Sequence, residues 1–233
     1  MLHILEVALP NSWLAVLLTA LIAYLLGSIS TAVIVSRCFF REDVREKGSG
    51  NAGATNDLRN YGKKAALITT VGDLLKSIVA VLVGGFILTH LQLTGTSEIS
   101  MDGLRIVGRY LAGACCVLGH LFPIFFGFRG GKGVMASFGM ILILDYRIAL
   151  LCLLVFLVTV AVSRTVSLGS VLGEFVAPCL GYFFGTYVDK TSMETTLFCT
   201  LMIAVVALSV IVKHRSNIAR ICRGNENKLH LKK

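Results

Sequence analysis

The sequence predicts an all-α, polytopic integral membrane protein with seven transmembrane helices, its N-terminus outside the cell and its C-terminus in the cytoplasm. Of its 233 residues, 55% are hydrophobic and only 15% are charged. A soluble domain of this length cannot bury so much apolar surface, because much of a small domain's surface remains exposed. Several apolar runs also approach the length of about 20 residues that spans a bilayer. We therefore expect one membrane-embedded domain, residues 1–233, with a basic cytoplasmic tail from about residue 213.

Seven apolar runs, separated by polar or charged breaks, define the predicted helices. They cover residues 13–36, 65–93, 104–121, 133–145, 147–163, 169–187 and 195–212. The first carries no charge and is too long for the core of a signal peptide, so we expect it in the mature protein. The fourth is short, because its apolar part, 134–144, covers only about half of a bilayer core. It is expected to be shallow, tilted or extended by the glycine-rich stretch before it, and the Asp145-Tyr146-Arg147 break then turns the chain back.

The distribution of basic residues sets the predicted orientation. The net charge of +9 would suit nucleic acid binding, but membrane topology explains the excess more simply, so we expect no nucleic-acid partner. With the N-terminus outside, most Lys and Arg side chains fall in cytoplasmic segments, chiefly 37–64 and the tail from 213. Basic residues are usually retained on the cytoplasmic side of a membrane.

The seven cysteines and the other possible ligands give no sign of a metal or cofactor. No C-x-x-C pair occurs and most cysteines lie within apolar runs, so we interpret them as small buried hydrophobes. No cluster of His, Cys and carboxylate residues has the spacing of a metal site. We expect neither a metal nor another cofactor.

Three short polar segments interrupt the apolar chain, at residues 48–56, 127–133 and 166–170. We call them the first, second and third polar segments. Their glycines let backbone N–H groups approach a phosphate, Ser and Thr donate hydrogen bonds, and Arg or Lys supplies charge. In the predicted topology they precede the second, fourth and sixth helices on the cytoplasmic side, where helix N-termini attract anions. We expect the three to converge on one phosphate-handling site.

Each segment also has a simpler explanation. The first, followed by Arg59, would equally suit a flexible loop with an Asn or Thr helix cap. The second would suit an interfacial loop whose Phe side chains anchor it or line the access of an acyl chain. It is not a nucleotide P-loop, because Phe126 and Gly133 stand where that motif needs Gly and a hydroxyl. The third is weak alone, because Ser and Gly also aid close helix packing in membranes.

The basic tail is open to two interpretations. Residues 213–220 either bind anionic lipid headgroups or bring His214 and Asn217 to the phosphate site. The second interpretation is possible because these two residues are three apart and share a helical face.

Ionisable residues inside the predicted helices carry weaker signals. Asp73 and Lys76 are three residues apart in the second predicted helix, and we read them first as a structural ion pair. His120 is as readily a core or interfacial residue as a ligand. Glu174 has no assigned role.

Five motifs, in order, resemble the bacterial acyl-phosphate:glycerol-3-phosphate acyltransferase (PlsY) family over nearly the full chain. They are L-G-S-I at 26–29, D-V-R-x-x-G-S-G-N-x-G-A-T-N-x-x-R at 43–59, G-H-L-F-P-I-F-F-G-F-R-G-G-K-G at 119–133, V-S-L-G-S at 166–170 and H-R-x-N-I-x-R at 214–220. The family is an integral membrane enzyme with seven helices, which agrees with the predicted spans. Ser30, Ala52 and Ser77 depart from residues frequent in the family, but none of them is an expected ligand.

The resemblance implies a reaction and a set of site residues. A fatty acyl group passes from acyl phosphate to the 1-hydroxyl of sn-glycerol 3-phosphate, which gives lysophosphatidic acid and inorganic phosphate in the first step of phospholipid synthesis. The implied catalytic residues are Ser49, Arg59, Lys132, Ser170, His214 and Asn217. The residues expected to bind substrate phosphate beside them are Gly50, Asn51, Thr55, Asn56, Gly130, Gly131, Gly133 and Ser167.

The expected partners are the two phosphate-bearing substrates and the lipid bilayer, at the cytoplasmic face of the bacterial cytoplasmic (inner) membrane. Protein partners are left open. Phosphate is a good leaving group, so we expect direct attack by the glycerol 3-phosphate hydroxyl, with a substrate phosphate oxygen as proton acceptor and no acyl-enzyme. His214 is the alternative base, or it only positions phosphate. A transporter for phosphorylated solutes is the alternative function, although it should have a midplane site and internal repeats.

Overall fold

The structure is a computed structural model that describes residues 2–91 and 100–228, with side chains from residue 13 onward. All regular secondary structure in these ranges is helical, which confirms the predicted all-α class. The chain divides into two compact units, Met1–Leu144 and Asp145–Lys233. The predicted end of the second helix, at residue 93, lies outside the described residues.

The described helices of the two units follow each other in chain order. The first unit contains α1 (Leu2–Gly27), α2 (Thr31–Phe40), α3 (Ala54–Tyr61), α4 (Lys63–His90), α5 (Met101–Leu121) and α6 (Val134–Leu144). The second contains α7 (Tyr146–Ser163), α8 (Val166–Phe183), α9 (Met193–Lys213) and α10 (Arg215–Cys222). Shorter helical turns cover Val44–Glu46, Ile124–Phe126 and the π-helical stretch Phe184–Val188.

Among the described residues, six helical stretches are long and apolar enough to cross a membrane. They are Trp13–Phe40, Lys63–His90, Met101–Phe126, Tyr146–Ser163, Val166–Val188 and Met193–Lys213. The remaining predicted helix, the fourth, corresponds to α6, which is apolar but only 11 residues long. The protein is therefore a multi-pass membrane protein, and its fourth apolar helix is short as predicted.

The first predicted helix, 13–36, is interrupted. α1 ends at Gly27, and α2 begins at Thr31. In the gap, the carbonyl oxygen of Ile29 accepts a 2.8 Å hydrogen bond from Nζ of Lys76 on α4. A carbonyl released from a helix at membrane depth needs another donor, and Lys76 provides one. The prediction of one continuous helix was wrong, because hydropathy carries no information about a partner 47 residues away.

The first polar segment opens a helix, but not the predicted one. It leads into α3, which carries Thr55 and Arg59, and Gly62 with φ +85° then separates α3 from the long α4. The prediction placed the segment directly before the second membrane helix and was wrong in that detail. A polar helix of 8 residues leaves no trace in a hydropathy profile.

The third polar segment is itself helical. α8 begins at Val166 rather than at 169, so Ser167 and Ser170 lie in its first turns instead of in a preceding loop. The second polar segment matches the prediction, because Gly133 immediately precedes the start of α6.

Small side chains allow α1, α4 and α5 to pack closely in the first unit. Ala23, Ala80, Ala112 and Cys116 form a buried cluster between them. Small residues at such contacts are the usual means by which membrane helices approach each other. This packing fixes α4 and α5, and the last turn of α5 supports the second polar segment.

The predicted break at Asp145-Tyr146-Arg147 is confirmed at the start of the second unit. Oδ1 of Asp145 accepts a 2.9 Å hydrogen bond from the Arg147 backbone N–H, and the two side chains form an ion pair at 2.6 Å. The same guanidinium reaches Asp189 at 2.6 Å. These contacts tie the start of α7 to the segment that follows the π-helical turn.

The cysteines confirm their interpretation only in part. All seven are unbridged in the described structure, and Cys116 and Cys152 are buried as expected. Cys38, Cys179 and Cys222 are instead exposed.

Candidate active site

The first polar segment is shaped from within by Asn56. This side chain is only 1% exposed, and its Nδ2 lies 3.0 Å from the carbonyl oxygens of Val44 and Lys47 and 3.1 Å from that of Asn51. Its Oδ1 accepts a 3.0 Å hydrogen bond from the backbone N–H of Ser49. The amide of Asn56 therefore holds the loop that presents Ser49, and its role as a direct substrate ligand stays a prediction.

The outer face of this segment is accessible. Ser49, Gly50, Thr55 and Arg59 are all exposed, and Asn51 is half-buried. Gly48 makes the tight turn possible: its φ is +58°, and a Cβ there would collide with the Asn56 amide. Hydroxyl, backbone and guanidinium donors thus line one accessible loop and the short helix that follows it.

The second polar segment rests on the end of α5. The backbone N–H of Gly131 donates to the carbonyl oxygen of His120 at 3.2 Å. A Cβ on Gly131 would collide with Nε2 of His120 and would lie 2.5 Å from the carbonyl oxygen of Ala52. Because Ala52 lies within the first polar segment, the first and second segments are in direct contact, with the half-buried Lys132 beside that contact.

Arg45 links the turn before the first polar segment to the turn before the second. Its Nη1 donates to the carbonyl oxygen of Phe126 at 2.6 Å, while Asp43 accepts from its Nε at 2.9 Å and its Nη2 at 2.7 Å. The donors of Arg45 hold the pKa of Asp43 well below its ordinary value, although burial acts in the opposite direction. This role of Arg45 was not predicted from the sequence, where the only available signal was its place in the D-V-R motif.

In the second unit, the hydroxyls of the third polar segment point to different partners. Oγ of Ser170 donates to the carbonyl oxygen of Val166, one turn earlier in α8, at 3.0 Å. A serine has a single hydroxyl proton, so Ser170 must rotate before it can donate to a phosphate. Ser167 instead donates to Oε1 of Glu226 at 3.0 Å.

The Glu226 carboxylate accepts hydrogen bonds from several polar residues of the second unit. The side-chain amide of Asn217 donates to Oε1 at 2.7 Å, and Nε of Arg220 donates to Oε2 at 2.7 Å. Together with Ser167, these donors surround one carboxylate as they would surround a phosphate oxygen. Burial opposes ionisation, but the hydrogen bonds from Arg220, Asn217 and Ser167 outweigh it and hold the pKa of Glu226 below its ordinary value.

The structure therefore brings Ser167 and Asn217 together around one carboxylate, and their roles toward substrate stay predictions. Sequence analysis missed both Glu226 and Arg220 as site residues. The available signal was that Glu226 is the one carboxylate in the otherwise basic sequence after residue 213.

His214 is oriented by its own helix. It is buried at the junction of α9 and α10, and its Nδ1 lies 2.8 Å from the carbonyl oxygen of Val210. A carbonyl can only accept, so Nδ1 carries a proton. In the neutral ring, Nε2 then has a lone pair and can accept a proton or a hydrogen bond.

The side chains of Asp73 and Lys76, both less than a tenth exposed, form the ion pair that their spacing predicted, with 2.8 Å between Oδ1 and Nζ. Nδ1 of His120 lies 3.0 Å from the same Nζ. His120 is thus a buried partner of Lys76 that also supports the second polar segment. Glu174 is buried in α8 and keeps no assigned role.

Comparison with known proteins identifies the family. The family model described as glycerol-3-phosphate acyltransferase matches residues 17–224. A glycerol-3-phosphate acyltransferase of Clostridioides difficile (strain 630) is 42% identical over 217 residues, which are 93% of this chain and 97% of the relative.

Two solved structures are similar over nearly the whole chain. The crystal structure of PlsY (YgiH), an integral membrane glycerol 3-phosphate acyltransferase, in its glycerol 3-phosphate form is 31% identical, with a TM-score of 0.73 and coverage of 92% and 96% of the two chains. Its lysophosphatidic acid form is 30% identical, with a TM-score of 0.71 and coverage of 92% and 95%. The five motifs, the helical fold and these similarities agree, and the chain belongs to the glycerol-3-phosphate acyltransferase family.

Proposed function

We propose that this multi-pass membrane acyltransferase transfers a fatty acyl group from acyl phosphate to the 1-hydroxyl of sn-glycerol 3-phosphate. The products are lysophosphatidic acid and inorganic phosphate. The observation that carries the proposal is the contact of Ala52 with Gly131, which joins the donor-rich loop of Ser49 to the glycine-rich loop of Lys132. The family membership and the glycerol 3-phosphate and lysophosphatidic acid forms of PlsY support the acceptor and the product.

The chemistry needs no nucleophile from the protein. The hydroxyl oxygen of glycerol 3-phosphate forms a bond to the acyl carbonyl carbon, and the bond from that carbon to the phosphate oxygen breaks. Phosphate leaves with the electron pair, and the hydroxyl proton passes to a substrate phosphate oxygen. Arg59 and Lys132 neutralise the charge on the departing phosphate, since fixed donors act most strongly where charge develops.

The remaining polar residues divide between direct contact and support. Ser49, Ser170, His214 and Asn217 complete the proposed catalytic set. The proposed binding residues for substrate phosphate are Gly50, Asn51, Thr55, Asn56, Gly130, Gly131, Gly133 and Ser167. Ser167 and Asn217 already donate hydrogen bonds to an anion, the Glu226 carboxylate, which supports a role for both in binding substrate phosphate.

The proposed topology has seven membrane crossings within one acyltransferase domain, with α6 as the short fourth crossing. The N-terminus is outside, and the basic tail and the active site face the cytoplasm of a bacterial cell, at its inner membrane. The excess of Lys and Arg in 37–64 and after 213 supports this orientation.

Purified protein, acyl phosphate and glycerol 3-phosphate test the function directly. We expect one inorganic phosphate released for each lysophosphatidic acid formed, and no product when acyl-coenzyme A replaces acyl phosphate. Product formation only from acyl-coenzyme A would contradict the proposal that acyl phosphate is the acyl donor. Exchange of glycerol 3-phosphate across liposomes without acyl transfer would favour a transporter instead.

A further inference from the structure

A compact cluster of two charged residues and a histidine is buried within the apolar stretches Lys63–His90 and Met101–Phe126, against the second polar segment. It consists of Asp73 and Lys76, one turn apart on α4, and His120 in the last turn of α5. The side chains of all three are less than a tenth exposed. Charged groups within membrane-spanning helices are costly and are usually paired or functional.

The contacts of Lys76 fix the protonation of His120. The ammonium has three protons, and three acceptors surround it: Oδ1 of Asp73 at 2.8 Å, the Ile29 carbonyl oxygen at 2.8 Å and Nδ1 of His120 at 3.0 Å. An ammonium has no lone pair, so Nδ1 of His120 accepts. The Asp73 carboxylate is 3.6 Å from Nδ1, beyond hydrogen-bonding distance. The proton of the neutral imidazole is therefore on Nε2.

The protonated side of the ring faces the glycine-rich loop. A Cβ on Gly131 would collide with Nε2 of His120, and the Gly131 N–H is bonded to the His120 carbonyl oxygen at 3.2 Å. The ring therefore packs directly against the glycine-rich loop at Gly131. A movement of the ring toward Gly131 would displace this loop, and with it Lys132.

The opposite side of the cluster reaches the start of α2. Lys76 bonds the carbonyl oxygen of Ile29, and the hydroxyl of Thr31 donates to Oδ1 of Asp73 at 3.3 Å. α2 leads directly to the D-V-R motif and to the first polar segment. The cluster thus contacts both the start of α2, which leads to the first polar segment, and Gly131 in the second polar segment.

We propose that Asp73, Lys76 and His120 form a positioning cluster that sets the conformation of residues 130–133 and, through it, the placement of Lys132 on the substrate phosphate. The inference rests on the proposed phosphate role of the second polar segment. It assigns the cluster a part in substrate binding beyond the stabilisation of helix packing.

Two variants separate positioning from packing. Removing Lys76 alone would leave Asp73 as a buried single charge and could unfold the protein, so the first variant is Asp73→Asn combined with Lys76→Met, which removes both charges. It leaves Nδ1 of His120 without its ammonium donor. The second variant, His120→Asn, keeps an amide near the position of Nδ1 but removes the part of the ring under Gly131.

For both variants we expect kcat/KM for acyl phosphate to fall by about 10- to 100-fold, the loss expected from a displacement of about 1 Å. Thermal unfolding in detergent should stay cooperative, and the KM for glycerol 3-phosphate should change less. The control is Asp145→Asn combined with Arg147→Met, which removes a more exposed ion pair in the second unit. It should leave kcat/KM for acyl phosphate unchanged.

Lys132→Ala, measured in parallel, separates this inference from the proposed function. If Lys132→Ala is impaired while both cluster variants fold and keep the parental kcat/KM for acyl phosphate, the positioning role is overturned and the phosphate role stands. If Lys132→Ala is itself unimpaired, the phosphate role of the loop fails, and the inference fails with it. A lowered kcat/KM for acyl phosphate in both cluster variants together with an impaired Lys132→Ala supports the inference.

Discussion

The carboxylate of Glu226 accepts a 2.7 Å hydrogen bond from the side-chain amide of Asn217, nine residues upstream. Asn217 is a proposed catalytic residue, and an amide on a short helix near the chain end can adopt many orientations. The carboxylate selects one of them and links it to Ser167 on α8. Glu226 therefore acts as a positioning residue for the donors of the second unit.

Replacing Glu226 with Ala should lower kcat/KM by about 10- to 100-fold, because a hydrogen bond to a charged group contributes about 1.5–3 kcal/mol. Steady-state kinetics and limited proteolysis of the tail would measure the effect. Arg223→Gln, an exposed change in the same tail, is the control and should behave as the parent protein.

An unchanged or increased kcat/KM in Glu226→Ala would contradict the positioning role. It would mean that the carboxylate only occupies a place that substrate phosphate takes during turnover.

Arg59 and Lys132 should be the most sensitive basic residues. Alanine at either position should reduce kcat/KM by about 10²- to 10³-fold if each stabilises charge on the departing phosphate. Ser49→Ala should lose less, because a neutral hydroxyl is a weaker donor to an anion than a charged group. The measurement is phosphate release under saturating and limiting glycerol 3-phosphate, and near-normal kinetics in both alanine variants would remove the charge-neutralising role.

His214 should prove dispensable as a base. Its Nδ1 proton is directed at Val210, so the lone pair of the neutral ring is on Nε2, but the proposed proton acceptor is a substrate phosphate oxygen. General-base catalysis contributes about 10²- to 10⁴-fold. We therefore expect His214→Gln to keep more than about one hundredth of the parental kcat. A larger loss in both His214→Gln and His214→Ala, together with loss of the acidic limb of the pH–rate profile, would make His214 the base.

The membrane helices were predictable because lipid imposes a simple requirement on sequence. A spanning helix needs a long apolar run, and such a run is easily recognised in a sequence. The predicted helices 104–121 and 147–163 therefore match Met101–Leu121 and Tyr146–Ser163 closely. The gap between α1 and α2 was not predictable, since it depends on Lys76 reaching a carbonyl far away in the chain.

The types of residue in the candidate site could be predicted from the sequence, but the contacts between them could not. Motif order and composition indicated Ser167 and Asn217 as phosphate ligands without showing that they meet. Ser167 and Glu226 are 59 residues apart, and no periodicity links such positions. That contact depends on how the helices pack, and so does the contact between His120 and Gly131.

Gly131→Ala should test the contact between the two polar segments of the first unit. The added methyl group has no room between His120 and Ala52, so the loop must move. Overpacking of this kind costs about 1–3 kcal/mol, and displacement of Lys132 should reduce kcat/KM by about 100-fold. Gly173→Ala on α8 is the control, because its nearest neighbour, the Cys152 carbonyl oxygen, would be 3.5 Å from the new methyl group.

Equal activity in Gly131→Ala and Gly173→Ala would show that the second polar segment tolerates displacement. Its close contact with Ala52 would then have no part in substrate binding.

Asp57 should make folding stability depend on pH. Its side chain on α3 has no exposed surface, and Oδ2 accepts a 2.6 Å hydrogen bond from the hydroxyl of Thr69. Burial raises the pKa of Asp57 from 3.8 to about 6, and the hydrogen bond from Thr69 offsets only part of this rise. The folded protein therefore binds this proton more tightly than the unfolded chain does. The contribution of Asp57 to stability is greatest in acid and is lost as the pH rises from about 4 to about 6.

Asp57→Asn removes the ionisation without changing the size of the side chain. At pH 7 and above, the variant should be more stable than the parent protein by up to about 3 kcal/mol, since each unit of pKa shift corresponds to about 1.4 kcal/mol. The difference should vanish near pH 4. Thermal unfolding in detergent from about pH 4 to about pH 8 measures it, and Asp102→Asn, at an exposed carboxylate, is the control. A stabilisation that does not vary with pH would mean that Asn improves the packing of α3, and that the carboxylate of Asp57 is not the titrating group.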